Sequence, residues 1–284
     1  MSRNGGTIIR AEAAATGAHC VWKADARHAE TPHWRRETAT VEFIDGAAGE
    51  ILQFDPAGAR PPSRLTVAVE LGFSLPAPGG GFVCGVGNEI ASFDGTGRRT
   101  GTVATVPGDV ATLRLNDAGQ DSAGGVWTGT MDRQGRQATG AIWRLDAAGR
   151  LDAIDDDFII PNGFVFNRSG DTLYVADSPR RIVHSYRIDH RGISVARHSF
   201  FPAACVVEGY PDGLAIDRDD HLWIAFYAGR CVARFRPDGS LERRIELAAE
   251  NVTACCFGGP DLTTLYVTAD GSLFAAEVEV AGVV

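Results

Sequence analysis

An all-β chain folded as a single six-bladed β-propeller over residues 1–284 is what this sequence predicts, from three observations. Strand-like segments recur in pairs at the blade-length spacing of roughly 40 to 50 residues. Turn-forming residues precede each apolar run, and no long stretch shows the 3.6-residue periodicity of an amphipathic helix.

The second half of the repeat is an aromatic or aliphatic residue followed by Asp. It reads Gln53-Phe54-Asp55, Ser92-Phe93-Asp94, Arg144-Leu145-Asp146 and Arg187-Ile188-Asp189, with Arg234-Phe235-Arg236 as a variant. Five copies plus a terminal remnant predict six blades. The first half is a β-branched and aromatic run of strand length, as in Val126-Trp127-Thr128-Gly129, Leu173-Tyr174-Val175-Ala176-Asp177, Leu222-Trp223-Ile224-Ala225 and Leu265-Tyr266-Val267-Thr268. The segments Asn167–Asp171 and Asp217–His221 supply the tight reversals in front of two of these runs. A ring of blades must close, and the apolar stretch Thr7-Ile8-Ile9 is expected to complete the last blade after Leu273, protecting its edge. Residues 26–40 are polar and read as a solvated loop interrupting the first blade; a lid carrying Trp34 is the sharper reading.

Composition limits the partners. Hydrophobic residues make up 44% and charged residues 22%, an ordinary globular balance. The net charge of -9 argues against nucleic acid and anionic membrane, which require clustered Lys and Arg. No apolar run is long enough to span a bilayer, and the first residues lack a secretory signal, so a cytoplasmic protein with a small-molecule partner is expected. Six scattered cysteines, at 20, 84, 205, 231, 255 and 256, show no CxxC pair and read as reduced, mostly buried thiols. Cys255 and Cys256 would point to opposite faces of a strand.

Three polar segments lie where strands meet loops: Arg114-Leu115-Asn116-Asp117, Pro161-Asn162-Gly163 and Pro211-Asp212-Gly213. Each is placed just before the inner strand of a blade, so the three could converge at one mouth of the channel. Asn and Asp oxygens are hard ligands suited to Ca²⁺, Mn²⁺ or Mg²⁺. Asn-Gly and Asp-Gly are also ordinary turn dipeptides, and a structural role stays open on spacing alone.

These segments, with Arg114–Met131, Pro211–Asp217 and Thr253–Gly259, resemble the senescence-marker-protein-30, or regucalcin/gluconolactonase, family over about residues 80 to 275. The resemblance implies a propeller, a divalent cation (Ca²⁺, Mn²⁺, Zn²⁺ or Mg²⁺) held by Asn162 and Asp212 with Asn116 as a further ligand, and Arg114 and Asn116 binding substrate oxygens. It implies a lactonase in which the cation polarises the lactone carbonyl while Asp212 activates water. In the family's N-terminal Gly-Glu-x-Pro-x-Trp motif the Glu is a ligand. The stretch Gly17-Ala18-His19-Cys20-Val21-Trp22 matches that frame, which places Ala18 where the Glu should stand and makes the neighbouring His19 a candidate acid or base. A family substrate-contact Glu after Gly129-Thr130-Met131 is also not evident, since Asp132-Arg133-Gln134 follows. Two alternatives therefore accompany the lactonase. One is a metal-poor propeller using Asp212 and His19 for a cyclisation, isomerisation or addition; the other is a propeller that only binds a small molecule.

Overall fold

The computed structural model describes residues 17–67, 69–77, 79–189, 194–202 and 207–283. Among them the regular structure is all strand, in six four-stranded antiparallel sheets that make a six-bladed propeller. Strand β1 (His19–Trp22) precedes the first complete blade, β2 (Ala29–Arg35), β3 (Thr40–Asp45), β4 (Glu50–Phe54) and β5 (Ser63–Thr66). The second is β6 (Ser74–Pro76), β7 (Phe82–Val86), β8 (Glu89–Phe93) and β9 (Arg99–Thr105), and the third β10 (Leu113–Gln120), β11 (Val126–Asp132), β12 (Gly140–Leu145) and β13 (Leu151–Phe158). The fourth comprises β14 (Pro161–Phe166), β15 (Thr172–Asp177), β16 (Ile182–Ile188) and β17 (Ser194–Pro202). The fifth comprises β18 (Tyr210–Ile216), β19 (Leu222–Tyr227), β20 (Cys231–Phe235) and β21 (Leu241–Glu246). The sixth is β22 (Val252–Gly258), β23 (Thr264–Ala269) and β24 (Ser272–Glu277), completed by β1.

The sequence repeat maps onto these elements in register. Phe54, Phe93, Leu145, Ile188 and Phe235 each end the third strand of a blade, and the runs beginning at Val126, Leu222 and Leu265 occupy second strands. The first strands, β2, β6, β10, β14, β18 and β22, touch one another around the ring and line the channel.

Closure differs from expectation. The strand that pairs with β24 is His19–Trp22, in the register His19↔Ala275 and Trp22↔Leu273, whereas Thr7–Ile9 lies outside the described residues. Trp22 anchors the seam: it is 1% exposed, meets Phe43 edge-on at 5.4 Å and stacks on Phe54 at 6.1 Å. Residues 26–40 are not a solvated loop either, because β2 runs through the middle of the segment and Trp34 stacks on Tyr266 with ring centroids 6.2 Å apart. The proline and charges of the segment concealed an innermost strand. Of the cysteines, Cys84, Cys231 and Cys255 are buried and free, Cys20 and Cys256 are half-buried and free, and Cys205 lies outside the described residues.

Two blades share a buried lock. In the third, Asp121 accepts Trp127 Nε1 at 3.0 Å and Arg144 Nη2 at 2.9 Å, and the guanidinium lies over the indole. In the fifth, Asp217 accepts Trp223 Nε1 at 2.8 Å and Arg234 Nε at 2.7 Å, with Arg234 again over the indole. Each lock fastens the turn before the second strand to the third strand. Because Asp217 is fully buried, Asp217→Ala leaves Arg234 Nε, the indole N–H and two backbone N–H groups without their acceptor and is expected to cost about 3–5 kcal/mol. The exposed Asp219→Ala should stay within about 0.5 kcal/mol. Urea unfolding midpoints of the two variants check this; equal midpoints would contradict it.

Candidate active site at the channel mouth

The polar residues singled out in sequence lie on the innermost strands themselves, not just before them. Arg114, Asn116 and Asp117 are on β10, Asn162 on β14 and Asp212 on β18. A β-bulge interrupts the register at the same place in each: between Leu115 and Ala118, Asn162 and Val165, and Pro211 and Leu214. Strand β2 carries a matching bulge between Glu30 and His33. Bulges re-aim side chains that a regular pleat would send into the blade. Left-handed residues lie in two of the bulges: Gly163 at φ +57°, where an added Cβ would come within 2.3 Å of Leu214, and the β-branched Thr31 at φ +44°, a strained position.

The entries to two of the inner strands are pinned from behind. The buried Asp45 accepts the N–H of Arg27 at 2.7 Å and His28 at 3.2 Å, setting the approach to β2. Asp177 does the same for Ile159 and Ile160 ahead of β14. Across the closing seam, Thr253 Oγ1 donates to Ala29 O at 2.6 Å, immediately beside Glu30.

Glu30 is the residue that sequence reasoning missed. With His28, Glu70, Arg114, Asn116, Asp117 and Asn162, it lines a cavity of about 80 Å³ at the mouth. Glu30, Pro32 and Trp34 carry the Glu-x-Pro-x-Trp spacing, a signal that was present inside the segment read as a loop. Ala18, by contrast, packs against the apolar core of the closing blade, just ahead of the outer strand β1. His19, proposed as acid or base, is exposed on that outer strand. It faces a separate groove of about 1180 Å³ shared with Trp34, Arg36, Phe54 and Tyr266, toward the other end of β2. The groove is the larger space, but its carboxylates are already engaged, Asp55 by Arg60 and Glu277 by Thr264. The imidazole at the mouth is instead His28, with Nε2 3.5 Å from Glu30 Oε1. Burial, followed by the charge of Arg114, holds His28 below the usual imidazole range.

Three carboxylates crowd the mouth. Asp117 and Asp212 are 9% and 6% exposed, and the Glu30 side chain keeps 13% of its surface accessible. Burial lifts Asp117 to about 6 even though its oxygens accept Gly163 N–H and Ala118 N–H, each at 2.7 Å. Burial and then the charge of Asp117 lift Glu30 to about 8. Asp212 is driven well above the carboxylate range by burial first, then by Glu30 and Asp117. Its Oδ1 is buried without a hydrogen-bond donor among the described residues. Asn116 Nδ2 donates to Asn162 Oδ1 at 2.6 Å and to Pro161 O at 3.1 Å, while Asn162 Nδ2 donates to Ser178 Oγ at 2.9 Å, so the Asn162 carbonyl oxygen faces Asn116.

Asp217, Asp219 and His221 also bring ligand atoms within 4.8 Å of one another. Asp217 Oδ1 already accepts two backbone N–H groups, from Asp219 and His221, and Oδ2 accepts Trp223 and Arg234. Its four lone-pair directions are taken, so this group works as the blade lock.

The family model described as SMP-30/Gluconolactonase/LRE-like region matches residues 28–271, from His28 at the mouth to the turn between the second and third strands of the sixth blade. The chain belongs to this family. It is 29% identical to the pentonolactonase of Haloferax volcanii, over 86% of this chain and 82% of the relative. It is 30% identical to the 6-deoxy-6-sulfogluconolactonase of Pseudomonas putida, over 91% and 88%. Among solved structures, a luciferin-regenerating enzyme superposes with a TM-score of 0.84 at 26% identity, covering 90% of this chain and 93% of that one. The family match begins at His28, leaving Ala18 and His19 outside it.

The crowding has a consequence for stability. A carboxyl with a higher pKa folded than unfolded holds its proton longer in the native state, so the unfolded chain ionises first as pH rises. Chelated protein should therefore lose stability from about pH 4.5 to about pH 8, the span between the ordinary value of Glu30 and its raised one. Added Ca²⁺ or Mn²⁺ should restore the melting temperature, most strongly at the alkaline end. Melting curves against pH with and without cation test this; a flat profile for the chelated protein would contradict it.

Proposed function

We propose that the chain is a divalent-cation-dependent, lactonase-like hydrolase that opens a sugar or related small lactone at the channel mouth. The observation that carries this reading is the unpartnered buried Asp212 Oδ1 beside two further carboxylates, because such a group needs a cation far more than it needs another hydrogen bond. The donor set fits one: Glu30, Asn162 Oδ1 and Asp212 are hard oxygen ligands from three separate blades, and Asn116 stands beside them. The lactonase names of two relatives that match over most of this chain point the same way.

A bound cation would supply Lewis acidity to a lactone carbonyl and compensate the carboxylate charge. Arg114, whose side chain is 21% exposed on the cavity wall, is placed to donate to substrate oxygens, and Asn116 can fix a hydroxyl beside it. Asp212 takes the proton of the water that adds to the carbonyl carbon. It returns that proton to the ring oxygen as the C–O bond breaks, leaving a hydroxy acid. His28, kept neutral at pH 7, borders Glu30 without adding a cationic competitor at the site. The metal-poor alternative rests on Ala18 in the ligand position; the Glu-x-Pro-x-Trp spacing that places Glu30 at the mouth favours the cation-dependent reading over it.

Asp212→Asn should keep the fold and lower lactone turnover by roughly 10²–10⁴-fold, the usual contribution of positioned proton transfer. Glu30→Gln should weaken calorimetric Ca²⁺ or Mn²⁺ binding at least about tenfold through loss of charge and ligand strength. Full lactone opening after exhaustive chelation would overturn the reading.

A further inference from the structure

We propose that Arg133 and Arg114 form an anion-binding rim across Glu70, and that the preferred lactone carries a second, permanently anionic substituent such as a sulfonate or carboxylate. The substrate class rests on the lactonase reading above; the rim itself does not.

Arg133 directly follows β11, whose last residue Asp132 pairs with Leu113, and its N–H donates to Thr112 O at 2.8 Å. This sets it beside Arg114 at the mouth. Glu70 lies on the cavity wall ahead of β6, and both guanidiniums reach it: Arg133 Nη1 at 2.8 Å from Oε2 and Arg114 Nε at 3.8 Å from Oε1. Two permanent cations thus face one carboxylate that is 48% exposed, which leaves a net positive charge on the rim just outside three buried acids.

The geometry of the forks matters as much as the charge. Arg133 commits Nε to Val110 O at 2.8 Å and Nη1 to Glu70, while Arg114 commits Nη1 to Leu115 O at 3.0 Å. The Nη2 of each has no hydrogen-bond partner among the described residues. Backbone carbonyls hold the two planar groups in place, so their unused donors are positioned in advance for an anion with several oxygens. Glu70 stands in for that anion in the free protein and competes with it.

The two residues should therefore act with opposite sign. With the cation-loaded protein, kcat/KM for a terminally sulfonated gluconolactone should exceed that for gluconolactone by about tenfold or more, the range of a charge-assisted contact. Arg133→Gln should lower this ratio at least about tenfold, and Glu70→Gln should raise it. An ion pair serving only stability would leave the ratio unchanged in both variants, and that result would overturn the proposal. A binding measurement tests the rim without any turnover. Methanesulfonate should raise the melting temperature of the native protein where the uncharged dimethyl sulfone does not, and Arg133→Gln should abolish the response. No response in the native protein would sink the rim. A response that depends on Arg133 in a protein that opens no lactone would keep the rim and remove the hydrolase.

Discussion

Mutual repulsion of Glu30, Asp117 and Asp212 in a desolvated mouth is the constraint on which the rest of this molecule depends. Carboxylates left to themselves separate or stay in water, yet here burial and proximity lift Glu30 to about 8 and Asp117 to about 6. Holding them together requires a frame stiff enough to resist that repulsion. The frame is a closed ring in which each acid comes from a different blade, so none can withdraw without moving a whole sheet.

The ring is built from small, repeated devices. Bulges at one level of the inner strands turn the side chains inward, and Asp45 and Asp177 pin the loops entering two of those strands by their backbone N–H groups. The Asp–Trp–Arg locks of the third and fifth blades act further out, where they tie turns to third strands. Closure by His19–Trp22 then removes the last free edge, and the Thr253–Ala29 bond carries that closure to within one residue of Glu30. Outer-strand pairing and site geometry are in this way one mechanical system, although His19 itself takes no part at the mouth.

Charge at the mouth is layered. Acids lie in the depth and two arginines at the rim, with Glu70 between them. On the proposed function, a cation would occupy the inner layer and an anionic group the outer one. A substrate with a polarisable carbonyl at one end and a negative charge at the other would satisfy both layers together.

The sequence by itself determined the class of fold and several of the polar residues that gather at the channel mouth. Repeating Phe-Asp and Leu-Asp pairs end third strands because a blade's period is set by strand length and turn geometry, both of which are local properties. Asn116, Asn162 and Asp212 were legible for the same reason, each beside a turn residue that marks a change of direction. Tertiary structure decided the rest. Two Trp residues, Trp22 and Trp34, each stand at the end of a motif-like frame, and only ring closure shows that the first belongs to the outer seam and the second to an innermost strand. Glu30 sat in a polar stretch that resembled a loop because an innermost strand at a charged mouth has no alternating apolar pattern to reveal it. Its neighbours Asp117 and Asp212 are 87 and 182 residues away along the chain. A pairing of that kind leaves no mark in local sequence, since the repulsion between these acids exists only once the blades have closed.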